Sequence, residues 1–294
     1  MADLDFDALR AVRGEHPERI AELQRARRRR PLLGEDGKLF ILAMDHPARN
    51  AMGVGSDPFA MADRYDLLER LAEALAVPGV DGVLGTPDIL EDLLLLGALE
   101  DKVVVGSMNR GGLRGASFEL DDRFTAFSAG AIAQASYDFA KLLLRIDLAD
   151  PDTADTLEAS ACAVSEAAAL RLPIMLEPFM SHQRDGVVHN ELTADAVVRS
   201  IAITSGLGHS SAYSWLKIPV VDDMERVMAA TTLPTLLLGG EPNGDVDATY
   251  ASWSKALALP GVRGLTVGRS LLYPPSGDVS SAVAVAASLV HPSR

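Results

Sequence analysis

Cysteine is nearly absent. The 294 residues contain one, Cys162, so no disulfide can form within the chain. That usage fits a reducing, cytoplasmic compartment. Cys162 falls on a predicted amphipathic helix over 152–170 and is expected to be a small buried residue rather than a nucleophile. Long apolar runs are missing too. None reaches the roughly 18–20 residues that span a bilayer, and the acidic N-terminus carries no apolar signal core. No membrane role is expected. Positive charge is short: 27 Lys and Arg against 41 Asp and Glu give a net charge of −14. Nucleic acid is therefore not expected as a partner, because a phosphate backbone calls for a basic footprint. The one basic run, Arg27 to Arg30, ends a predicted helix. It is expected to be a solvated C-terminus favoured by the helix dipole.

Lysine is scarce. Five lysines, at 38, 102, 141, 217 and 255, stand against 22 arginines. One of the five, Lys217, lies in the apolar stretch 212–219 (Ala-Tyr-Ser-Trp-Leu-Lys-Ile-Pro), which has the character of a buried strand. A buried amine is costly unless it is paired or loses its proton.

What the chain does have is alternation. Hydrophobic content of 48% supports a sizeable core. Two short helices are predicted at 4–13 and 15–29, as an N-terminal extension. Apolar runs at 39–44, 80–85, 102–107, 140–146, 173–178, 212–219, 233–238 and 261–267 then read as strands. Helical periodicity separates them, at 58–76, 87–98, 123–137, 152–170, 193–205, 222–231, 245–258 and 278–290. Eight strand–helix units with no linker predict one (β/α)8 TIM barrel over residues 1–294, with 1–30 as the extension. A doubly wound sheet fits less well, since no early glycine-rich dinucleotide turn is present.

Barrel enzymes carry their chemistry at the carboxyl ends of the strands. Asp45 follows the first strand, Lys141 and Arg145 lie on the fourth, Glu177 ends the fifth and Lys217 lies on the sixth. Gly239 and Gly240 follow the seventh, and Gly268 and Arg269 follow the eighth. Loops after the last two strands often hold phosphate, with glycine backbone N–H groups and an arginine as donors. A lysine attacks a carbonyl only when deprotonated, and desolvation or a second cation favours that form. The second cation is either Lys141 or Arg145, the latter nearer the mouth and also read as a substrate contact. A structural ion pair with Glu177 is the alternative for Lys217. Glu177, set among apolar residues, is expected to have a raised pKa and to shuttle protons. Asp45 would orient a substrate hydroxyl, assist the same proton shuttle or cap a turn. His46, His182, His189 and His209 lack the spacing of a metal site, so no metal is expected; His46 is read as a substrate contact or an Asp45 partner.

The pieces Ala43-Met-Asp-His46, Ala140-Lys-Leu-Leu-Leu144, Leu176-Glu-Pro178, Trp215-Leu-Lys-Ile-Pro-Val220, Leu237-Leu-Gly-Gly240 and Val267-Gly-Arg269 occur in that order. In this the chain resembles the class I, Schiff-base-forming aldolases of the tagatose-bisphosphate and archaeal-type fructose-bisphosphate group, which are distantly related to deoxyribose-phosphate aldolase. The resemblance implies that Lys217 forms the Schiff base and that Glu177 and Lys141 assist proton transfer. It also implies that Asp45 contacts the substrate and that Gly240 and Arg269 hold a phosphate. A cofactor-free aldehyde-lyase acting on a sugar phosphate, in a homo-oligomer, is the resulting expectation. A transaldolase and a non-catalytic sugar-phosphate sensor are the alternatives. Two departures stand out. Pro47 replaces the glycine that commonly follows Asp-His in the archaeal-type branch. The loop 108–122 has no evident counterpart, and its Arg110 and Arg114 are read as contacts to the far end of the substrate or as a solvated arginine loop.

Overall fold

Every apolar run picked out in the sequence becomes a strand. The computed structural model describes residues 4–240 and 245–292. The strands are β1 (Leu39–Met44), β2 (Gly82–Gly85), β3 (Val103–Ser107), β4 (Phe139–Ile146), β5 (Ile174–Arg184), β6 (Val187–Asn190), β7 (Ser214–Pro219), β8 (Thr235–Leu238) and β9 (Val262–Val267). The helices are α1 (Phe6–Glu15), α2 (Glu18–Ala26), α3 (Arg64–Ala76), α4 (Pro87–Leu95), α5 (Ala129–Gln134), α6 (Thr153–Ala169), α7 (Ala194–Ser205), α8 (Met224–Met228), α9 (Val246–Leu257), α10 (Arg269–Leu272) and α11 (Val279–Val290). Eight parallel strands pair in the order β1-β2-β3-β4-β5-β7-β8-β9, and β9 returns to β1. This is a closed (β/α)8 TIM barrel, preceded by the α1 and α2 extension. No helix among the described residues is long and apolar enough to cross a membrane.

Strand side chains alternate between the two faces, and here the alternation sorts two apolar cores. One parity packs outward against the helices, through residues such as Phe40, Leu42, Val104, Leu142, Leu176 and Leu216. The other parity fills the barrel: Leu39, Ile41, Val103, Val105, Phe139, Met175, Trp215 and Leu236, with Leu32 and Leu33 packed against them. Phe139 and Trp215 meet edge to face at 5.5 Å between ring centroids. One interior step beyond them along the strands come Lys141, Glu177 and Lys217. The apolar floor thus passes directly into a layer of charge.

Four local expectations need correction. The arginine run is a solvated helix end only in part: Arg28 and Arg29 are exposed, but Arg27 and Arg30 are not. Arg27 is buried and donates to Lys102 O (2.7 Å), Ser136 O (2.9 Å) and Asp138 Oδ2 (3.0 Å). Arg29 reaches Asp138 at 2.8 Å and Arg30 reaches Asp81 at 2.5 Å. Asp81 and Asp138 precede β2 and β4 and accept the N–H groups of Phe40 and Val104. The run therefore fastens the extension to the amino end of the barrel. Cys162 is exposed, because it falls between the buried positions Ser160, Ala163 and Val164 on α6. The polar stretch after Glu177 is not all loop: β5 continues past the barrel and pairs antiparallel with β6, setting His182 opposite His189. The predicted helix at 123–137 shortens to α5, with Ser128 capping it by accepting from Ala131 N–H.

Candidate active site

Barrel stagger brings the charged residues level. Lys141 is only the third residue of β4, yet it pairs with Ser107, the last residue of β3, and with Met175 on β5. Neighbouring barrel strands are displaced along one another, so an early residue on one strand meets the end of another. Lys141 therefore reaches the centre. Its Nζ lies 2.5 Å from Glu177 Oε2 and 3.3 Å from Asp45 Oδ2. Lys217 Nζ donates to Glu177 Oε1 at 2.6 Å. One carboxylate thus bridges two ammonium groups, and all three side chains are buried.

These groups shift one another's protonation. Burial pushes the Lys217 amine down, and the nearby Arg110 and Arg49 push the same way, while Glu177 opposes them. Lys141 is held well below the usual lysine range, first by burial and then by Arg110. Burial alone would raise Glu177, as its sequence context suggested. The two lysines reverse that and hold its carboxyl below the usual range. The raised pKa expected for Glu177 is thus corrected for the resting site.

Asp45, at the end of β1, is an assembly point. Its Oδ2 accepts from Ser107 Oγ at 2.9 Å, from Lys141 at 3.3 Å and from the Arg110 guanidinium. Arg110 Nε also donates to Ser107 Oγ at 3.1 Å. Arg110 is buried, and desolvation lowers its pKa to about 10. His46 Nδ1 lies 4.0 Å from Asp45 Oδ1 and has no hydrogen-bond partner among the described residues. Burial, and then the charges of Arg269 and Lys217, hold His46 well below the usual histidine range.

Arg145 does not join this group. Its Nε donates to both Asp122 oxygens, at 3.1 and 3.0 Å. Nη2 reaches Asp122 Oδ1 at 2.6 Å and the carbonyls of Gly112 and Glu119, and Nη1 lies 3.7 Å from the Glu119 carboxylate. All three guanidinium nitrogens hold the 108–122 loop, so the expected substrate or second-cation role gives way to a clamp. Asn109 adds to the clamp, its side chain exchanging two hydrogen bonds with the Leu143 backbone. Ser107, Asn109 and Asp122 were not singled out in the sequence. Ser107 alone carried a usable signal, as a polar residue at a strand end.

The glycines after the last strands have packing reasons. A Cβ on Gly268 would lie 2.0 Å from Ala43 O, and one on Gly239 would lie 2.5 Å from Val267 Cγ1. Gly240 adopts φ +69, and among the described residues nothing lies within 4 Å of where a Cβ would stand. Arg269 begins α10 and, with Arg114, lines a cavity at the barrel mouth. Among the described residues, no group of three or more His, Cys, Asp and Glu side chains is placed to hold a metal ion.

Residues 37–287 match the profile of a family described as Cgl0159-like. The chain belongs to the Cgl0159-like family. Cgl0159 from Corynebacterium glutamicum, known as a crystal structure, is 63% identical over 98% of this chain and 97% of that one, with a TM-score of 0.96. No curated protein matches the chain in sequence. An archaeal fructose 1,6-bisphosphate aldolase aligns at 19% identity over 92% and 98% of the two chains, with a TM-score of 0.64. A Schiff-base-forming fructose-1,6-bisphosphate aldolase aligns at 20% identity over 92% and 100%, with a TM-score of 0.65. At such identities the likeness speaks for the barrel. The Cgl0159-like chain thus has the fold on which those aldolases are built.

Proposed function

We propose that the protein is a metal-independent class I aldolase that cleaves or forms a carbon–carbon bond in a sugar phosphate. The observation that carries this reading is the buried Lys217 amine, bonded to Glu177 and facing a second buried lysine across that carboxylate. A structural pair would need one amine and one carboxylate. Lys141 and Lys217 on Glu177, with Arg110 beside them on Asp45, set three cations against two carboxylates, which lowers the proton affinity of both amines, as a nucleophilic lysine requires.

In this reading Lys217 passes its proton to Glu177 and, as the free amine, attacks the ketose carbonyl carbon. The proton that the attacking nitrogen sheds moves to the carbonyl oxygen, giving a neutral carbinolamine. One of the two charges that hold Glu177 ionised is then gone, so its pKa climbs and it can take and give protons. Glu177 protonates the carbinolamine hydroxyl, which leaves as water, and a cationic imine remains. The imine draws the electron pair of the C3–C4 bond as the C4 hydroxyl gives up its proton to Glu177. The aldehyde leaves, the enamine is protonated at C3, and water releases the ketone from Lys217. Lys141 stays bonded to Glu177, and Asp45 holds Lys141 and Arg110 in place.

Borohydride reduction in the presence of candidate sugar phosphates tests this directly. A stable adduct mapped by peptide mass to Lys217, with activity that survives EDTA, is the expected result. An active substrate that leaves no lysine adduct, or activity lost to EDTA, would overturn the reading.

A further inference from the structure

Pro47–Arg49 form a single 3-10 turn directly after Asp45 and His46. Proline suits its first position, where the fixed φ fits and the missing N–H is not called on. His46 already has helical backbone angles, φ −69 and ψ −42, and its carbonyl accepts the Arg49 N–H at 3.0 Å. Asn50 then stops the turn at the left-handed φ of 57, giving its N–H to Pro47 O at 2.9 Å. Side chains three apart in such a turn eclipse one another, so Arg49 is carried to the same side as His46. His46 stands 4.0 Å from Asp45, at the rim of the Lys217–Glu177 pair.

The backbone of Arg49 is tied down, since its carbonyl accepts the Arg114 N–H at 2.9 Å. Its side chain is not. Nε is closed off from solvent, yet among the described residues the guanidinium makes no ion pair and no hydrogen bond. The buried arginines Arg27, Arg110 and Arg145 each meet a carboxylate. Carboxylates also act on Arg49, namely Asp122, Glu177 and Glu119, but burial and then the charge of Arg145 outweigh them and push its guanidinium below the ordinary range. Those carboxylates are already engaged, Glu177 by the two lysines and Asp122 and Glu119 by Arg145. Arg49 in turn disfavours the charged forms of Lys217 and His46. A desolvated cation with no bonded partner costs stability, and a ligand anion would supply the partner.

We infer that Arg49 receives a carboxylate of the substrate, next to the carbonyl that Lys217 attacks, through two parallel N–H···O bonds. The substrate is then a 2-oxo sugar acid. Its C1 is the carboxylate and its C2 the carbonyl, and the C3–C4 cleavage releases a 2-oxo acid together with the aldehyde. One guanidinium fork matches the two oxygens and the single charge of a carboxylate, whereas a phosphate dianion at this place would leave a charge unmet. The inference rests on the aldolase reading for the role of Lys217.

Borohydride trapping with small carbonyl probes is the test. The adduct on Lys217 of the intact protein is measured against concentration for pyruvate, hydroxyacetone and dihydroxyacetone phosphate. Pyruvate should trap the amine at the lowest concentration. In Arg49→Gln the half-saturating concentration for pyruvate, relative to that for hydroxyacetone, should rise by roughly tenfold or more, the loss of a charge-assisted contact. Any effect of the lost charge on the amine itself falls on both probes and cancels in the ratio. Arg49→Lys keeps the charge without the fork; its ratio should lie between, and it carries the comparison should glutamine disturb the turn. A wild type that prefers dihydroxyacetone phosphate to pyruvate, or a ratio that Arg49→Gln leaves unchanged, overturns the inference. An adduct with a sugar phosphate but none with pyruvate overturns it alone. No adduct with any carbonyl compound brings down the aldolase reading as well.

Discussion

Lys217 and Lys141 sit on opposite oxygens of one carboxylate, at 2.6 and 2.5 Å from Glu177. They do not do the same work there. Among the described residues Lys217 is bonded to Glu177 alone, whereas Lys141 reaches on to Asp45. That asymmetry marks Lys217 as the amine free to leave its partner and Lys141 as the one held from two sides.

Replacing Lys217 by methionine therefore separates chemistry from folding. On the aldolase reading the variant should lose activity by at least about a thousandfold and form no borohydride adduct, since the proposed nucleophile is gone. Glu177 keeps Lys141 as its partner, so no buried charge is left alone. The unfolding midpoint should stay near that of the wild type. A Lys217→Met protein that still forms an adduct at another lysine would show that the amine was misassigned.

Removing the carboxylate is a harsher change. Glu177→Gln leaves two buried ammonium groups facing a neutral amide, and stripping one partner from a buried ion cluster costs about 3–5 kcal/mol. The sign of the pH dependence follows from the direction of the lysine shifts. Both lysines already bind protons more weakly in the folded state than the ordinary 10.5. Without Glu177 they bind them more weakly still. Below 10.5 the unfolded chain then holds more protons, so stability rises with pH. Urea denaturation at neutral and alkaline pH should show the deficit of Glu177→Gln shrinking as pH rises. A deficit that stays constant would mean that the lysines are not the cause.

The Arg145 clamp predicts a loop phenotype. Arg145→Met removes the donors that hold Asp122, Glu119 and Gly112, while its aliphatic stem keeps most of the volume. The 108–122 loop should loosen, and trypsin should cut after Arg110 or Arg114 several-fold faster than in the wild type. Arg110 would also lose its fixed approach to Asp45, so activity should fall with the loop. Unchanged cleavage would mean that Asn109 and its two bonds to Leu143 suffice to hold the segment.

Strand positions were legible because a barrel strand buried on both faces leaves a continuous apolar run, and Leu39 to Met44 or Val103 to Val105 read as nothing else. Lys217 and Glu177 stood out for the same reason, as charges in such runs. Lys141 was harder, because a position early in a strand reads as deep until the stagger between β3 and β4 is known. The parity that points Arg145 inward was visible, but its partners lie 23 and 26 residues earlier in a loop without periodicity. The β5–β6 hairpin escaped because His182, Arg184 and His189 interrupt the apolar alternation that marks a strand. The arginine run at 27–30 looked solvated, since nothing local shows that Asp81 and Asp138 wait at the amino ends of β2 and β4.

The amino end of the barrel holds the last prediction. His291 follows α11 and is buried, with Nε2 2.9 Å from Asp81 Oδ2 and Nδ1 bonded to Asp36. Arg30 and Lys102 are the cations that also act on Asp81. Burial disfavours the imidazolium, but the bonds to Asp81 and Asp36 outweigh it and raise the pKa above the ordinary 6.5. A group with a raised folded pKa contributes stability that is fully present below its unfolded value and is lost as pH rises through the folded one. His291→Gln keeps one polar contact and removes the titration. The wild type should therefore exceed the variant in stability by most at mildly acidic pH, and the gap should narrow as pH climbs past 6.5. Thermal or urea midpoints of both proteins across that range decide the matter. A gap that is flat, or that widens with pH, would show that the imidazole is held neutral and that α11 is docked by packing alone.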